Sequence, residues 1–283
     1  EDALRLRKKS VQNNILVLGR IFPEQIQEAI DNDIEVTVST LDILQRADER
    51  LKIHFCADTG MGRDGFVASD RKEVLHLLRQ KNLNIKGLYM HFAAADESAF
   101  DEYTKKQLEG LKQWQKDFQD IGLEPLLHKG SSCSLFIPDQ EESFDMVRVG
   151  ISLYGLWPSN ELKMHYQNEL NLQPVLAWKA SIVEVKSLPK GSAISYGCTN
   201  ILQRDSKIAI LPVGYYDGIF RISSNFGKLL LNGVQVPQIG KVTMNMIIVD
   251  VTDVGDVKIG DVATIIGENN DAGDWAQWSQ TSN

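Results

Sequence analysis

Three cysteines stand far apart in a chain of 283 residues: Cys56, Cys133 and Cys198. An odd, scattered set excludes a disulfide framework and predicts free thiols in a reducing compartment, the cytoplasm. No Cys/His spacing has the form of a zinc site. No apolar run approaches the roughly 20 residues of a membrane span, which argues against a membrane protein. Positive charge is in deficit, with 30 Lys and Arg against 38 Asp and Glu, a formal net charge of −8. That balance argues against a nucleic-acid or anionic-membrane surface. Glu1–Ser10 is charged and helix-like, so no signal peptide is expected. An opening in mid-helix, on Glu rather than Met, predicts residues upstream of Glu1. What is present is ordinary for a soluble globular protein: 43% hydrophobic and 24% charged residues. The length holds one large domain or two of ordinary size.

The first half alternates strand and helix signals. Short apolar runs at Ile15–Leu18, Val36–Ser39, Lys52–Ala57, Ile85–His91, Leu126–His128 and Asp145–Val149 read as strands. Between them, helical patterns cover Pro23–Asn32, Leu41–Arg46, Arg71–Gln80 and Ser98–Asp120. Such alternation predicts parallel strands with crossover helices. Polar residues gather at strand ends: Arg63 after the third, His91 at the fourth, Ser132 after the fifth, Arg148 in the sixth. That is the pattern of a (β/α)8-type barrel with its site at the C-terminal face, here lacking its first strands. Past Leu172 the character changes. Six short strands, Ala177–Val185, Lys207–Leu211, Lys228–Leu231, Gln235–Ile239, Met246–Val251 and Asp261–Ile266, are separated by turn signals such as Asn232-Gly233. The expected architecture is a barrel domain over residues 1–171 and a C-terminal all-β domain over residues 172–283. The tail Asp274–Asn283 is polar and weakly specified.

Asp145–Gly155 focuses the chemistry. Arg148 interrupts an apolar strand, and a guanidinium is costly to bury unless its donors find acceptors. Gly150 and Gly155 follow, removing side chains where a ligand could approach the backbone. The alternative is a structural pairing of Arg148 with a carboxylate such as Asp145. His91 could equally be a satisfied strand-end histidine, and Tyr196 a turn aromatic.

Six segments weigh against those alternatives: Asp58-Thr-Gly-Met-Gly-Arg63, His91-Phe-Ala-Ala-Ala-Asp96, Met146-Val-Arg-Val-Gly-Ile-Ser-Leu-Tyr-Gly155, Ile194-Ser-Tyr-Gly197, Pro212-Val-Gly-Tyr-Tyr-Asp-Gly218 and Gly240-Lys-Val-Thr-Met244. In this order they resemble the alanine racemase family, fold-type III enzymes dependent on pyridoxal 5'-phosphate (PLP). The resemblance runs from Ile15 to about Ile266. It implies a cytoplasmic homodimer with shared active sites, no nucleic-acid or membrane partner, and alanine as substrate. It also implies interconversion of L- and D-alanine through a PLP aldimine, supplying D-alanine for peptidoglycan. By resemblance, Arg148 faces the pyridine nitrogen, and His91 stacks on the ring and is linked to Arg148. Ser132, Gly150 and Ile151 hold the phosphate, the last two through backbone N–H groups. Tyr196 is the catalytic tyrosine, reaching the other subunit's barrel, with Tyr215 near it. Arg63 and Met244 surround the substrate carboxylate, Met244 also from the other subunit.

The sequence departs from the family in several places. The Schiff-base lysine and second strand of the family lie before the segment matching Glu1, and no such motif occurs here. Hence the chain is expected to be inactive alone, with an inert fragment or scaffold as the alternative function. A racemase for serine or a basic amino acid is the nearer rival. The family's later tyrosine, expected after Ile266, is also not seen. Asn245 stands where aspartate is frequent. Cys56 stands where some members carry a carbamylated lysine supporting the loop arginine. Ser131 and Lys129 also differ from the commoner residues, and Lys129 is a formal but geometrically awkward substitute for the missing lysine.

Overall fold

A computed structural model describes residues 1–136 and 144–281. The chain folds into two compact units. One is Glu1–Leu153 with Trp157–Leu172, the other Tyr154–Leu156 with Gln173–Asn283.

The first unit contains α1 (Asp2–Lys8), β1 (Leu16–Val17), α2 (Ile26–Asp31), β2 (Glu35–Val38), α3 (Leu41–Arg46), β3 (Lys52–Cys56), α4 (Arg71–Gln80), β4 (Asn84–Tyr89), α5 (Asp101–Gln119), β5 (Leu126–Gly130), β6 (Met146–Arg148) and α6 (Asn160–Tyr166). Strands β1 to β6 lie side by side in chain order, every pair parallel, as in a (β/α) barrel wall. Side chains alternate across a strand, so each strand has two faces. Val36, Val38, Ile53, Phe55, Leu88 and Met90 form one face, all fully buried. They share a core with Ile43 and Leu44 of α3, Val74 and Leu78 of α4, and Leu111, Trp114 and Phe118 of α5. The helical residues recur three or four apart, which puts them on one stripe. Phe55 stacks on Phe66 at 4.6 Å and meets the edge of Phe118 at 5.0 Å. Burying each such side chain contributes about 2 kcal/mol.

The opposite face of the same strands is polar although buried. It carries Glu35 and Thr37 on β2, His54 on β3, Tyr89 on β4 and His128 on β5, each at most 8% exposed. Buried polar side chains need partners, and these find one another.

The second unit is antiparallel. Its strands are β7 (Trp178–Ser181), β8 (Glu184–Leu188), β9 (Ala193–Ile194), β10 (Asn200–Ile201), β11 (Ser206–Leu211), β12 (Lys228–Leu231), β13 (Val234–Pro237), β14 (Ile247–Asp250) and β15 (Val262–Ile266), followed by helix α7 (Ala272–Trp278). The sheets run β14-β11-β8 and β13-β12-β15-β7, with β9 and β10 as a separate pair. Leu211, Leu229, Ile247, Val249 and Ile265 are buried between them. The Asn232-Gly233 turn has both residues at positive φ, 52° and 79°, as a tight hairpin requires.

Two expectations are corrected here. The single strand expected over Ala177–Val185 is two strands in different sheets. The Ile182 N–H donates to Asp261 O at 2.8 Å, whereas the Val183 N–H donates to Ile210 O at 2.9 Å. The backbone therefore changes sheets between adjacent residues, which no alternation pattern announces. The tail is also more specified than its polarity suggests, since α7 occupies Ala272–Trp278. Asp271 and Asp274 cap its start reciprocally at 2.9 Å, and Trp275 Nε1 donates to Ile265 O at 2.5 Å.

Candidate active site

The C-terminal ends of β3 to β6 and the loops after them line a cavity of about 360 Å³, a size suited to a small cofactor or metabolite. Arg63, Tyr89, His91, Ser132, Arg148 and Gly150 all line it. Five of the expected barrel residues, Arg63, His91, Ser132, Arg148 and Gly150, thus converge, and Ile151 joins them on the wall.

Arg148 sits at the end of β6, opposite Gly130 of β5. A side chain at Gly130 would overlap the guanidinium, so the glycine makes its berth. Arg148 Nη2 donates to Met90 O at 2.8 Å, and Nη1 donates to His128 Nδ1 at 2.8 Å and to His128 O at 3.4 Å. The guanidinium carbon lies 4.2 Å from the Tyr89 ring centroid, a favourable cation–π distance. Nε has no acceptor among the described residues. The alternative pairing with Asp145 does not occur: Asp145 Oδ2 instead accepts the Leu127 N–H at 2.7 Å. The histidine bonded to Arg148 is likewise not His91 but His128. The parallel register brings His128 and Gly130 beside Met146 and Arg148, whereas His91 lies past the end of β4.

Electrostatics follow from burial and from that cation. Burial, with Arg63 and Arg148 nearby, pulls His91 down to about 4. Burial, then Arg148 and His54, pulls His128 down to about 3. Both rings are neutral near pH 7. The Cys56 thiol is pushed up to about 11 by burial, which makes it a poor nucleophile.

Helix α5 fastens the two loops that carry Arg63 and His91. Tyr103 Oη donates to Gly60 O at 2.7 Å. Gln107, fully buried, donates to His91 O at 3.1 Å and accepts from the Ala93 N–H at 3.0 Å. Within the first loop, Asp58 Oδ1 accepts from the N–H groups of Gly60 and Gly62 at 2.9 and 3.1 Å. Arg63 pairs with its neighbour Asp64 at 3.2 Å, both side chains more than half exposed. Cys56 Sγ lies 3.5 Å from Asp64 O, so it touches this corner without charge.

Beyond β5, Ser132 is buried, and its Oγ accepts from the N–H groups of Gly150 and Ser152 at 3.0 and 3.1 Å. Two backbone donors thus converge on one hydroxyl oxygen. The second donor, Ser152, lies in a short 3-10 turn over Ile151–Tyr154. The Ser152 hydroxyl is buried with no partner among the described residues.

The remaining expected residues lie in the second unit. There, Tyr215 N–H donates to Thr243 O at 3.0 Å and Tyr216 N–H to Met244 O at 2.9 Å. Ser195 Oγ donates to Lys241 O at 2.7 Å. The segments bearing Tyr196, Tyr215 and Met244 are thereby laced together, with the three side chains exposed.

Residues 1–158 match the family model described as alanine racemase, N-terminal domain, and residues 175–283 match alanine racemase, C-terminal domain. The chain belongs to the alanine racemase family. An alanine racemase of Methanococcus maripaludis is 37% identical over 278 residues, covering 95% of this chain and 73% of the relative. One from Clostridium novyi is 37% identical over 303 residues, covering 100% of this chain and 76% of the relative. Among solved structures, the alanine racemase of Streptomyces coelicolor A3(2) superposes with TM-score 0.90 at 27% identity, covering 99% of this chain and 78% of that one. The Bacillus anthracis enzyme with bound L-Ala-P gives 0.87 at 32% identity, covering 99% and 74%. The family's fold is a barrel followed by a β domain, as expected from the alternation and its breakdown.

Sequence reasoning passed over Glu35, His54 and His128. The available signal was their placement: polar residues within short, otherwise apolar strands, in Glu-Val-Thr-Val, Lys-Ile-His-Phe and Leu-Leu-His-Lys.

Proposed function

We propose that this protein is a PLP-dependent racemase that interconverts L- and D-alanine, supplying D-alanine for peptidoglycan, with residues 1–171 as the cofactor domain and 172–283 as the β domain. One observation carries the reading. Arg148 lines the cavity with both Nη atoms committed to the barrel wall and with Nε lacking an acceptor among the described residues. A donor left over inside a cavity calls for an acceptor from a ligand, and a pyridine nitrogen is one.

The chain's residues fit the cofactor. Ser132, Gly150 and Ile151 are assigned to the phosphate end, where the buried Ser152 hydroxyl has no partner among the described residues and the Gly150 and Ser152 N–H groups, now on the Ser132 hydroxyl, lie close by. Neutral His91 offers its ring face. When bound, PLP withdraws electrons from the substrate α-carbon and so acidifies its hydrogen. Arg148 does not readily release a proton, so it keeps the ring nitrogen unprotonated and moderates that withdrawal. Arg63 binds the substrate carboxylate. In a homodimer, Tyr196 of the partner subunit moves the α-proton at its hydroxyl oxygen, a task that contributes about 10²–10⁴-fold. Tyr215 and Met244 flank that tyrosine. No lysine within residues 1–283 stands where the resemblance assigns the covalent attachment.

The test is a PLP titration of the purified protein followed by absorbance, with borohydride reduction and peptide mapping, beside Arg148→Gln. Specific binding that weakens in the variant is expected. Equal affinity in both proteins, or a stoichiometric adduct at Lys129, would overturn the assignment.

A further inference from the structure

Arg148 is one end of a longer buried chain. His128 Nδ1 receives Arg148 Nη1 at 2.8 Å. His128 Nε2 lies 3.0 Å from His54 Nδ1, and His54 Nε2 lies 2.7 Å from Glu35 Oε2. His128 is 0% exposed, His54 2% and Glu35 8%. The four residues stand on β6, β5, β3 and β2, so the chain passes across β4. Gly87 on β4 makes that crossing possible. It pairs with His54 in the sheet, and a Cβ there would lie 2.9 Å from His128 Nε2 and overlap His54 Nδ1.

The chemistry of the two ends gives the chain a direction. Arginine only donates, so His128 Nδ1 must accept and its proton must sit on Nε2. That proton is donated to His54 Nδ1, which leaves the His54 proton on Nε2. It is donated in turn to the Glu35 carboxylate, which only accepts when ionised. Each donor finds one acceptor with both rings neutral, in agreement with the downward displacement of both imidazoles by burial. A reversed order would set a ring N–H against the guanidinium.

We propose that Glu35 is a positioning residue: by closing this one-way chain as its terminal acceptor, it fixes the tautomers of His54 and His128 and so holds the Arg148 guanidinium in place. The tautomer order rests on geometry within the barrel. Its consequence for PLP rests on the function proposed above. A buried donor deprived of its acceptor is costly, so loss of Glu35 displaces His54, then His128, and loosens the grip on Arg148. Glutamine retains an oxygen able to accept, whereas leucine does not.

The experiment is nitrogen-detected NMR of the protein labelled with 15N-histidine, without PLP, for the native protein, Glu35→Gln and Glu35→Leu, followed by PLP titration of each. The native protein and Glu35→Gln should show His54 and His128 as single Nε2–H tautomers, with PLP affinities within about twofold of each other. Glu35→Leu should lose the single-tautomer signals and bind PLP about tenfold more weakly, the effect of one broken link in a buried chain. An Nδ1–H tautomer at His128 in the native protein overturns the proposal. So does a Glu35→Leu protein with unchanged histidine signals and unchanged affinity. If Glu35→Leu does not fold, the native and Glu35→Gln spectra still decide, since any tautomer other than Nε2–H at either ring overturns the order. Failure of the native protein to bind PLP would count against the proposed function alone, because the tautomers are read without it.

Discussion

The two units present their candidate residues in opposite ways. In the first, Arg148, His128, His54, Glu35 and Tyr89 are packed against one another, and each polar atom on the path from Arg148 to Glu35 has a partner. In the second, Tyr196 is 69% exposed, Met244 52% and Tyr215 48%. Their backbones are held by hydrogen bonds, while their side chains reach outward. Preorganised donors inside a cavity suit the holding of a rigid, charged cofactor. Exposed, backbone-anchored side chains suit a group that completes a site on another surface. The same contrast appears in composition: all five histidines belong to the first unit.

The comparison can be broken most directly at Tyr196. With the family's Schiff-base lysine segment supplied, Tyr196→Phe should reduce alanine racemisation by about 10²–10⁴-fold, while thermal stability stays within about 0.5 kcal/mol because the ring is exposed. Chiral chromatography and calorimetry would measure the two, and parallel losses would contradict the separation of roles. Next in size is Arg148→Gln, which removes charged donors from Met90 O and His128. PLP affinity should fall by roughly 10–100-fold, with some loss of stability in the first unit.

Acid should separate the units. His128 and His91 are held neutral in the fold, at about 3 and about 4, below the ordinary imidazole value of ~6.5. As pH falls below ~6.5, the unfolded chain takes up protons before the folded one. The stability these rings support is complete above ~6.5 and declines toward pH 3–4, by a few kcal/mol in total. Calorimetry across this range should show the transition of the first unit moving down faster than that of the histidine-free second unit. Equal shifts would mean that carboxylates dominate instead.

A smaller effect is expected from Gly87→Ala. The added methyl intrudes between His54 and His128, and overpacking should cost about 2 kcal/mol. Chemical denaturation measures it, and the histidine NMR should show both rings disturbed. The smallest is Asn245→Asp, on the exposed side of the second unit. Stability should change by less than about 0.5 kcal/mol, and a large change would reveal a packing role for this position.

Much of the fold could be read from periodicity. The runs around Val36, Ile53 and Leu88 are buried strands because β-branched and large apolar residues recur every second position. Leu111, Trp114 and Phe118 disclose α5 by their helical spacing. The sheet change at Ile182–Val183 was not legible, since both residues are apolar and only their separate backbone partners distinguish them. Helix α7 was obscured by its polar surface, although Asp271 and Asp274 carry a capping pattern. At the site, Arg63, His91, Ser132, Arg148 and Gly150 were recognisable because they follow strand ends in motifs of distinctive order. His54 and Glu35 were not, since a single polar residue within an apolar strand does not name its partner.

The sequence by itself determined which residues line the strands, where the parallel half gives way to the antiparallel one, and that a guanidinium must be accommodated in β6. Those are matters of local period and of the cost of burying charge. Tertiary structure alone decided that Arg148 is bonded to His128 rather than His91, and that the contact continues through His54 to Glu35. Partners in a parallel sheet come from distant segments and are fixed by register. Here two absent side chains, at Gly130 and Gly87, leave the space through which the partners reach one another.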